Sequence, residues 1–176
     1  SILTGTTPLY HGLHLNGRQV LGPEAVTLAE ILKGAGLATA AFVSSFVLDS
    51  RFGLDQGFDE FSDRLGAAGQ VKNLDSERRA ADAFADFKAW FLRRPAGRFF
   101  AWVHFYDPHY PYDPPEPFKS NPRLTDPYDG EVAAMDHYVG EIKRLLEAQG
   151  PAGSTLIILA GDHGEAFGEH GETDGH

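Results

Sequence analysis

Residues 161–176, GDHGEAFGEHGETDGH, gather five acids, three histidines and five glycines with no Lys or Arg. Anionic groups at that density repel unless a cation offsets them, and a divalent metal takes both carboxylate oxygen and neutral imidazole nitrogen as ligands. Asp162 and His163 are the best-placed pair. Successive strand side chains point to opposite faces, so both reach one ion only where a strand ends and the backbone turns, which Gly161 and Gly164 permit. Taken alone, the same stretch also reads as a solvated Gly/Asp/Glu loop with its histidines in water. Glu165 and His170 suit groups that orient metal ligands, and Glu169, Glu172 and Asp174 read as solvated loop residues.

A second imidazole, His109, lies in Asp107-Pro108-His109-Tyr110-Pro111-Tyr112-Asp113-Pro114-Pro115, where three prolines after it hold the chain extended. Such a loop suits a donor to a substrate anion, and suits equally an aromatic and proline cover for a sheet edge. The remaining histidines read as structural. His104 alternates with Trp102 and Phe100 as a core or edge residue, and His11 and His14 sit by Gly12 and Asn16-Gly17 at a turn. His137 falls on the polar side of a helix beside Asp136, a potential hydrogen-bond acceptor. No phosphate-binding loop ending in Gly-Lys-Ser/Thr and no Gly-x-Ser-x-Gly elbow occurs. Nucleotide-binding and serine-hydrolase readings lose their main support.

These side chains need elements to hold them. Thr27-Leu28-Ala29-Glu30 has the form of a capping box, and Leu28, Ile31, Leu32 and Ala35 predict a short amphipathic helix that Gly34 and Gly36 end. Residues 38–43, 99–105 and 155–160 are continuous apolar runs suited to strands buried on both faces. Residues 49–74 mix Gly, Asp and isolated Phe, which predicts an irregular excursion packed by its aromatics. Ala80, Ala83, Phe84, Phe87, Trp90 and Phe91 mark one face of a second helix starting from Ser76, stopped by Pro95. Val132, Met135, Val139, Ile142 and Leu146 mark a third helix before Gly150-Pro151. Strands alternating with helices give the α/β class, a mostly parallel sheet with helices on both faces. In such sheets ligands bind beyond the carboxyl ends of the strands. If the second and third strands are neighbours, their loops, carrying His109 and Asp162-His163, face one crevice.

At 176 residues, 42% of them hydrophobic, the chain can bury a core, and its formal charge of 15 minus 25, or −10, argues against nucleic-acid or anionic-membrane partners. With no cysteine, any metal is held by oxygen and nitrogen. No apolar run approaches the roughly 20 residues of a membrane-spanning helix. The sequence opens without Met or a signal pattern and closes in a Gly-rich loop, so residues 1–176 read as one incomplete domain, an internal fragment.

With these residues in hand, the sequence resembles the sulfatase branch of the alkaline phosphatase superfamily. Ser1-Ile2-Leu3-Thr4-Gly5, Pro8 and His11-Gly12 resemble the segment just after the sulfatase nucleophile motif. Thr27-Leu28-Ala29 with Gly36 resembles the helix that follows, and Gly53-Leu54-Asp55-Gln56-Gly57-Phe58-Asp59 a Gly-Phe-Asp element. Pro108-His109-x-Pro111 is similar to the histidine segment that contacts the sulfate, and Asp162-His163-Gly164-Glu165 to the metal-ligand pair. The resemblance implies a partial alkaline phosphatase-like sandwich and a sulfate ester, small-molecule or glycan, as substrate of the parent protein. It implies Asp162 and His163 as metal ligands and His109 and His176 as substrate-contacting catalytic residues. It also implies a formylglycine-type nucleophile made from Cys or Ser about six residues ahead of Ser1, so Ser1 itself is not the nucleophile, and this stretch alone is expected to be inactive. Many sulfatases carry Asn where His163 stands, with calcium bound. The Asp-His form is similar to phosphonate and phosphodiester hydrolases of the superfamily, and an imidazole ligand admits Mn2+, Zn2+ or iron. An exported or periplasmic parent is typical of the family. A non-catalytic module that keeps the fold and binds a metal or anion is the alternative of another class.

Overall fold

The computed structural model describes residues 1–66, 72–73, 76–149, 154–168 and 171. It divides into two units, Ser1–Arg144 and Leu145–His176.

In the first unit, three parallel strands form a sheet in the order β2-β1-β3: β1 Ala38–Phe42, β2 Glu60–Ser62 and β3 Phe99–Val103. Ala40, Ala41 and Phe42 are fully buried, as expected for a central strand covered on both faces. Register pairs Phe42 with Ser62 and Val103, and Thr39 with Phe100, so alternate residues of all three strands share a face. On one face lies α3, Ala80–Arg93, which buries Ala80, Ala83, Phe87, Trp90 and Phe91. Phe42 meets Phe87 edge-on at 5.9 Å, and Phe99 meets Phe91 at 5.5 Å. The other face carries Phe58, stacked on Phe100 and Trp102.

The expected capping box is present: the Thr27 hydroxyl accepts from Glu30 N at 3.1 Å, and Thr27 N donates to Glu30 Oε2 at 2.8 Å. It opens α2, Leu28–Gly34. The buried stripe of α2 differs from the expected one. Ala29 is buried, whereas Leu28 and Ile31 are exposed. Backbone crowding explains the rotation, because a Cβ on Gly57 would stand 2.2 Å from Glu30 N and 2.7 Å from Ala29 C. Only a small residue on α2 tolerates that approach, and Gly57 itself has φ +85°.

Between β1 and α3 the chain is less irregular than its composition suggests. It holds 3-10 turns at Phe46–Leu48 and Ser50–Phe52 as well as β2. The aromatics do pack it, with Phe46, Phe52 and Leu65 forming a small cluster. Upstream lies α1, Pro8–His11, a single turn, and His11 Nε2 is 3.2 Å from Ser1 Oγ.

The last helix, α4 Pro127–Gln149, begins five residues before Val132, the first apolar residue of its expected stripe, and ends in the second unit. The expected strand over 155–160 is not present: these residues carry no strand, and Leu156 and Ile158 are 83% and 80% exposed. A strand exists only through a ladder partner, and an apolar run by itself supplies none. Among the described residues no helix is long and apolar enough to cross a membrane.

Candidate active site

The carboxyl ends of β1 and β3 run into a shared edge. His104 N donates to Phe42 O at 2.9 Å, Ser44 Oγ to His104 O at 2.7 Å, and Arg78 N to Ser44 O at 3.0 Å. His104 is therefore a half-buried tie between strand ends, as its alternation with Trp102 predicts. The same edge receives Ser45, bridged to Glu77, so the approach to α3 passes directly beside the loop after β3.

That loop carries His109. Its Nε2 lies 2.7 Å from the Tyr106 hydroxyl, and the two rings stack with centroids 4.1 Å apart. The backbone around it is tied to two helices. Asp107 Oδ2 accepts the N–H of Ala80, the first residue of α3, at 2.9 Å, where an anion meets unsatisfied amides and the positive helix end. Glu131 on α4 accepts from His109 N through Oε2 at 3.1 Å and from Asp113 N through Oε1 at 2.7 Å. Asp113 is further held by Arg79 Nη2 at 2.9 Å and Lys119 Nζ at 2.7 Å.

The electrostatics follow burial. Burial pushes the Asp107 carboxyl above its ordinary value against the pull of the amides and Arg79. Glu131, 5% exposed, is raised the same way, its two amide donors and Arg79 pulling back. Glu77 is raised by burial and by Asp107, with His109 and Arg79 opposing. Asp113 lies low because Lys119 and Arg79 bond it. Buried Glu131, half-buried Asp107, exposed Glu77 and one imidazole thus share the end of the sheet.

Sequence reasoning singled out His109 and passed over Tyr106 and Glu131. Glu131 lies three residues before Ala134, and both turn inward on α4. The neighbouring Gly130 matters as well, since a Cβ there would stand 2.7 Å from Pro114 Cγ. His137, also on α4, is exposed, as its polar face predicts.

In the second unit, His163 N donates to Asp162 Oδ1 at 3.1 Å, and the ring Nδ1 is 3.0 Å from Gly164 O. When Nδ1 carries the proton, that contact leaves Nε2 as the bare nitrogen, the tautomer metal-binding histidines adopt. His163 Nε2 lies 3.7 Å from Asp162 Oδ2, with both side chains largely exposed. The donor chemistry therefore fits a divalent ion at two positions. Among the described residues no group of three or more His, Asp or Glu converges as a complete metal cage. His176 and His170, with Glu169, Glu172 and Asp174, lie outside the described residues. His109 belongs to one unit and Asp162-His163 to the other.

Known structures share this architecture. A phosphonate monoester hydrolase of Agrobacterium radiobacter matches with a TM-score of 0.61 at 16% identity, over 85% of this chain and 49% of that one. A phosphonate monoester hydrolase from Silicibacter pomeroyi matches with 0.56 at 18%, over 85% and 49%. A protein in the alkaline phosphatase superfamily from Vibrio parahaemolyticus matches with 0.55 at 20%, over 84% and 37%. The chain thus spans about half or less of the solved structures it matches, and the likeness establishes the fold. No curated protein matches the sequence. A family model described as Sulfatase matches residues 1–176, the whole stretch over which the Leu-Thr-Gly, Gly-Phe-Asp, Pro-His-x-Pro and Asp-His-Gly-Glu segments are strung, and the chain belongs to the sulfatase family.

Proposed function

We propose that the protein containing this chain is a metal-dependent hydrolase of sulfate esters, small-molecule or glycan. The observation that carries the reading is the placement of His109: a side chain in a loop tied at Asp107, His109 and Asp113, at the carboxyl edge of a parallel sheet. An imidazole so held can donate a hydrogen bond to a bound ester oxygen and pass a proton to the leaving oxygen. His176 is proposed as a second contact to the anionic group.

Asp162 and His163 would hold the metal through a carboxylate oxygen and Nε2, and calcium, manganese or zinc meets that mixed donor set. The ion would polarise the ester oxygens and offset their charge. The nucleophile, of formylglycine type, is expected ahead of Ser1. Hydrolysis of a phosphonate monoester or phosphodiester is the second reading. It is favoured by the imidazole at position 163, where an amide is usual for calcium sulfatases, and by the likeness to two phosphonate monoester hydrolases.

The test is turnover of aryl sulfate against aryl phosphate, phosphodiester and phosphonate monoester by the full-length protein with Ca2+, Mn2+ or Zn2+ added. Preference for sulfate supports the first reading, and preference for a phosphorus ester the second. Absence of turnover on all of them with metal present overturns both and leaves a binding module.

A further inference from the structure

We infer that Glu131 is the positioning residue for His109, acting through the backbone of the loop rather than by touching substrate. The inference rests on the reading above that His109 contacts the ester. One buried carboxylate spans both ends of a five-residue turn, with Oε2 on the His109 amide and Oε1 on the Asp113 amide. Neither amide has a strand to pair with, and a buried N–H left without an acceptor is costly. A single side chain therefore fixes where residue 109 enters the turn and where residue 113 leaves it. Reacting groups displaced by about 1 Å can lose about 100-fold in rate, so the clasp matters to chemistry without entering it.

Two further contacts aim the clasp. Gly130, next to Glu131, lets α4 approach Pro114 so closely that a Cβ would stand 2.7 Å from its ring. Arg79 reaches round the outside of the turn to Asp113, donating to its carbonyl at 2.5 Å and its carboxylate at 2.9 Å. With Tyr106 stacked on the His109 ring, backbone and imidazole are fixed by different partners. Removing Glu131 therefore loosens the backbone that carries the ring while the Tyr106 contact to the ring remains.

Substitution by Gln separates this from mere filling of space. The amide keeps the volume but offers one acceptor oxygen, so its NH2 group faces one of the two backbone donors. In the full-length protein, on whichever aryl ester is turned over, Glu131→Gln is expected to lower kcat at least tenfold with little change in KM. In a His109→Ala background it should have almost no further effect, because the two residues act through one group. Amide hydrogen exchange across 107–113 should quicken at least tenfold in Glu131→Gln. Should that variant fail to fold, Glu131→Asp, with the same charge and one methylene less reach, takes its place. An undiminished loss in the His109→Ala background, or unchanged exchange over 107–113, overturns the positioning role. If His109→Ala turns over at the wild-type rate, the underlying reading of His109 fails, and this role fails with it. If His109→Ala is impaired while Glu131→Gln is not, only the Glu131 inference is lost.

Discussion

Glu131, Asp107 and Glu77 are carboxyls that burial raises above their ordinary range. For such a group the folded state binds protons more tightly than the unfolded state. Its contribution to stability is present below the unfolded value, about 4.3 for Glu, and is lost as pH rises through the higher folded value. Glu131→Gln cannot ionise. Whatever its offset from the lost bond, its stability relative to wild type should improve as pH rises through that window. Thermal melts of both proteins at intervals from acid to neutral pH check this, and a difference that moves the other way refutes it. Tyr106 and His109 make a second prediction at this scale. His109→Ala should lower kcat of the full-length protein by about 10²–10⁴, the usual contribution of a positioned acid or base. Tyr106→Phe keeps the stacked ring and loses one hydrogen bond, so a loss of about tenfold is expected, the kinetic equivalent of roughly 1.4 kcal/mol. Steady-state kinetics on the two variants decide it. A larger loss for Tyr106→Phe than for His109→Ala would give the phenol the leading part.

Arg78 shows how separate elements are locked together beside the site. It is 7% exposed, and its Nη1 meets Asp86 Oδ2 of α3 at 2.7 Å while Nη2 meets Ser62 O of β2 at 3.1 Å. Ser62 Oγ and Arg64 complete the hold on Asp86. Burial works to raise the Asp86 carboxyl, but Ser62, Arg78 and Arg64 outweigh it and hold it low. The pair therefore stabilises above about pH 4 and loses its contribution as pH falls through the depressed value. Arg78→Met leaves that carboxylate half-buried without its inner partner and should destabilise by about 3 kcal/mol, measured by urea unfolding. At the same scale the sequence was legible wherever an element carries its own signal. The capping box at Thr27-Glu30 started α2, and the apolar runs gave β1 and β3. It was illegible where a neighbour decides. Glu60–Ser62 is strand only because β1 pairs with it, and the apolar run at 155–160 forms no ladder among the described residues. Ala29, not Ile31, is inward because Gly57 presses on it. His109 could be read from its prolines, but Glu131 could not be chosen among the acids of α4 until the loop was seen resting on it.

Over the whole molecule, charge is the term that folding alone does not balance. The formal charge is −10, and residues 161–176 add five acids with no Lys or Arg, while cationic side chains elsewhere are largely engaged in pairs such as Lys33 with Asp59 and Lys72 with Asp49. Asp162 and His163 are exposed, and their donors suit a divalent ion. An ion that binds only the folded state stabilises it by RT ln(1 + [L]/Kd), about 2.7 kcal/mol at a hundredfold excess over Kd. EDTA should therefore lower the Tm of the full-length protein, and added Ca2+, Mn2+ or Zn2+ should restore it. In Asp162→Ala and His163→Ala both responses should shrink, together with the stoichiometric metal content found by elemental analysis. The pH sign is fixed by the ligand chemistry: an imidazole must be neutral and a carboxylate ionised to bind, so metal-dependent stabilisation should fade toward acid pH. An Asp162→Ala protein that keeps its ion and its response to EDTA would move the metal to other residues and return the Asp-His-Gly-Glu turn to a solvated loop.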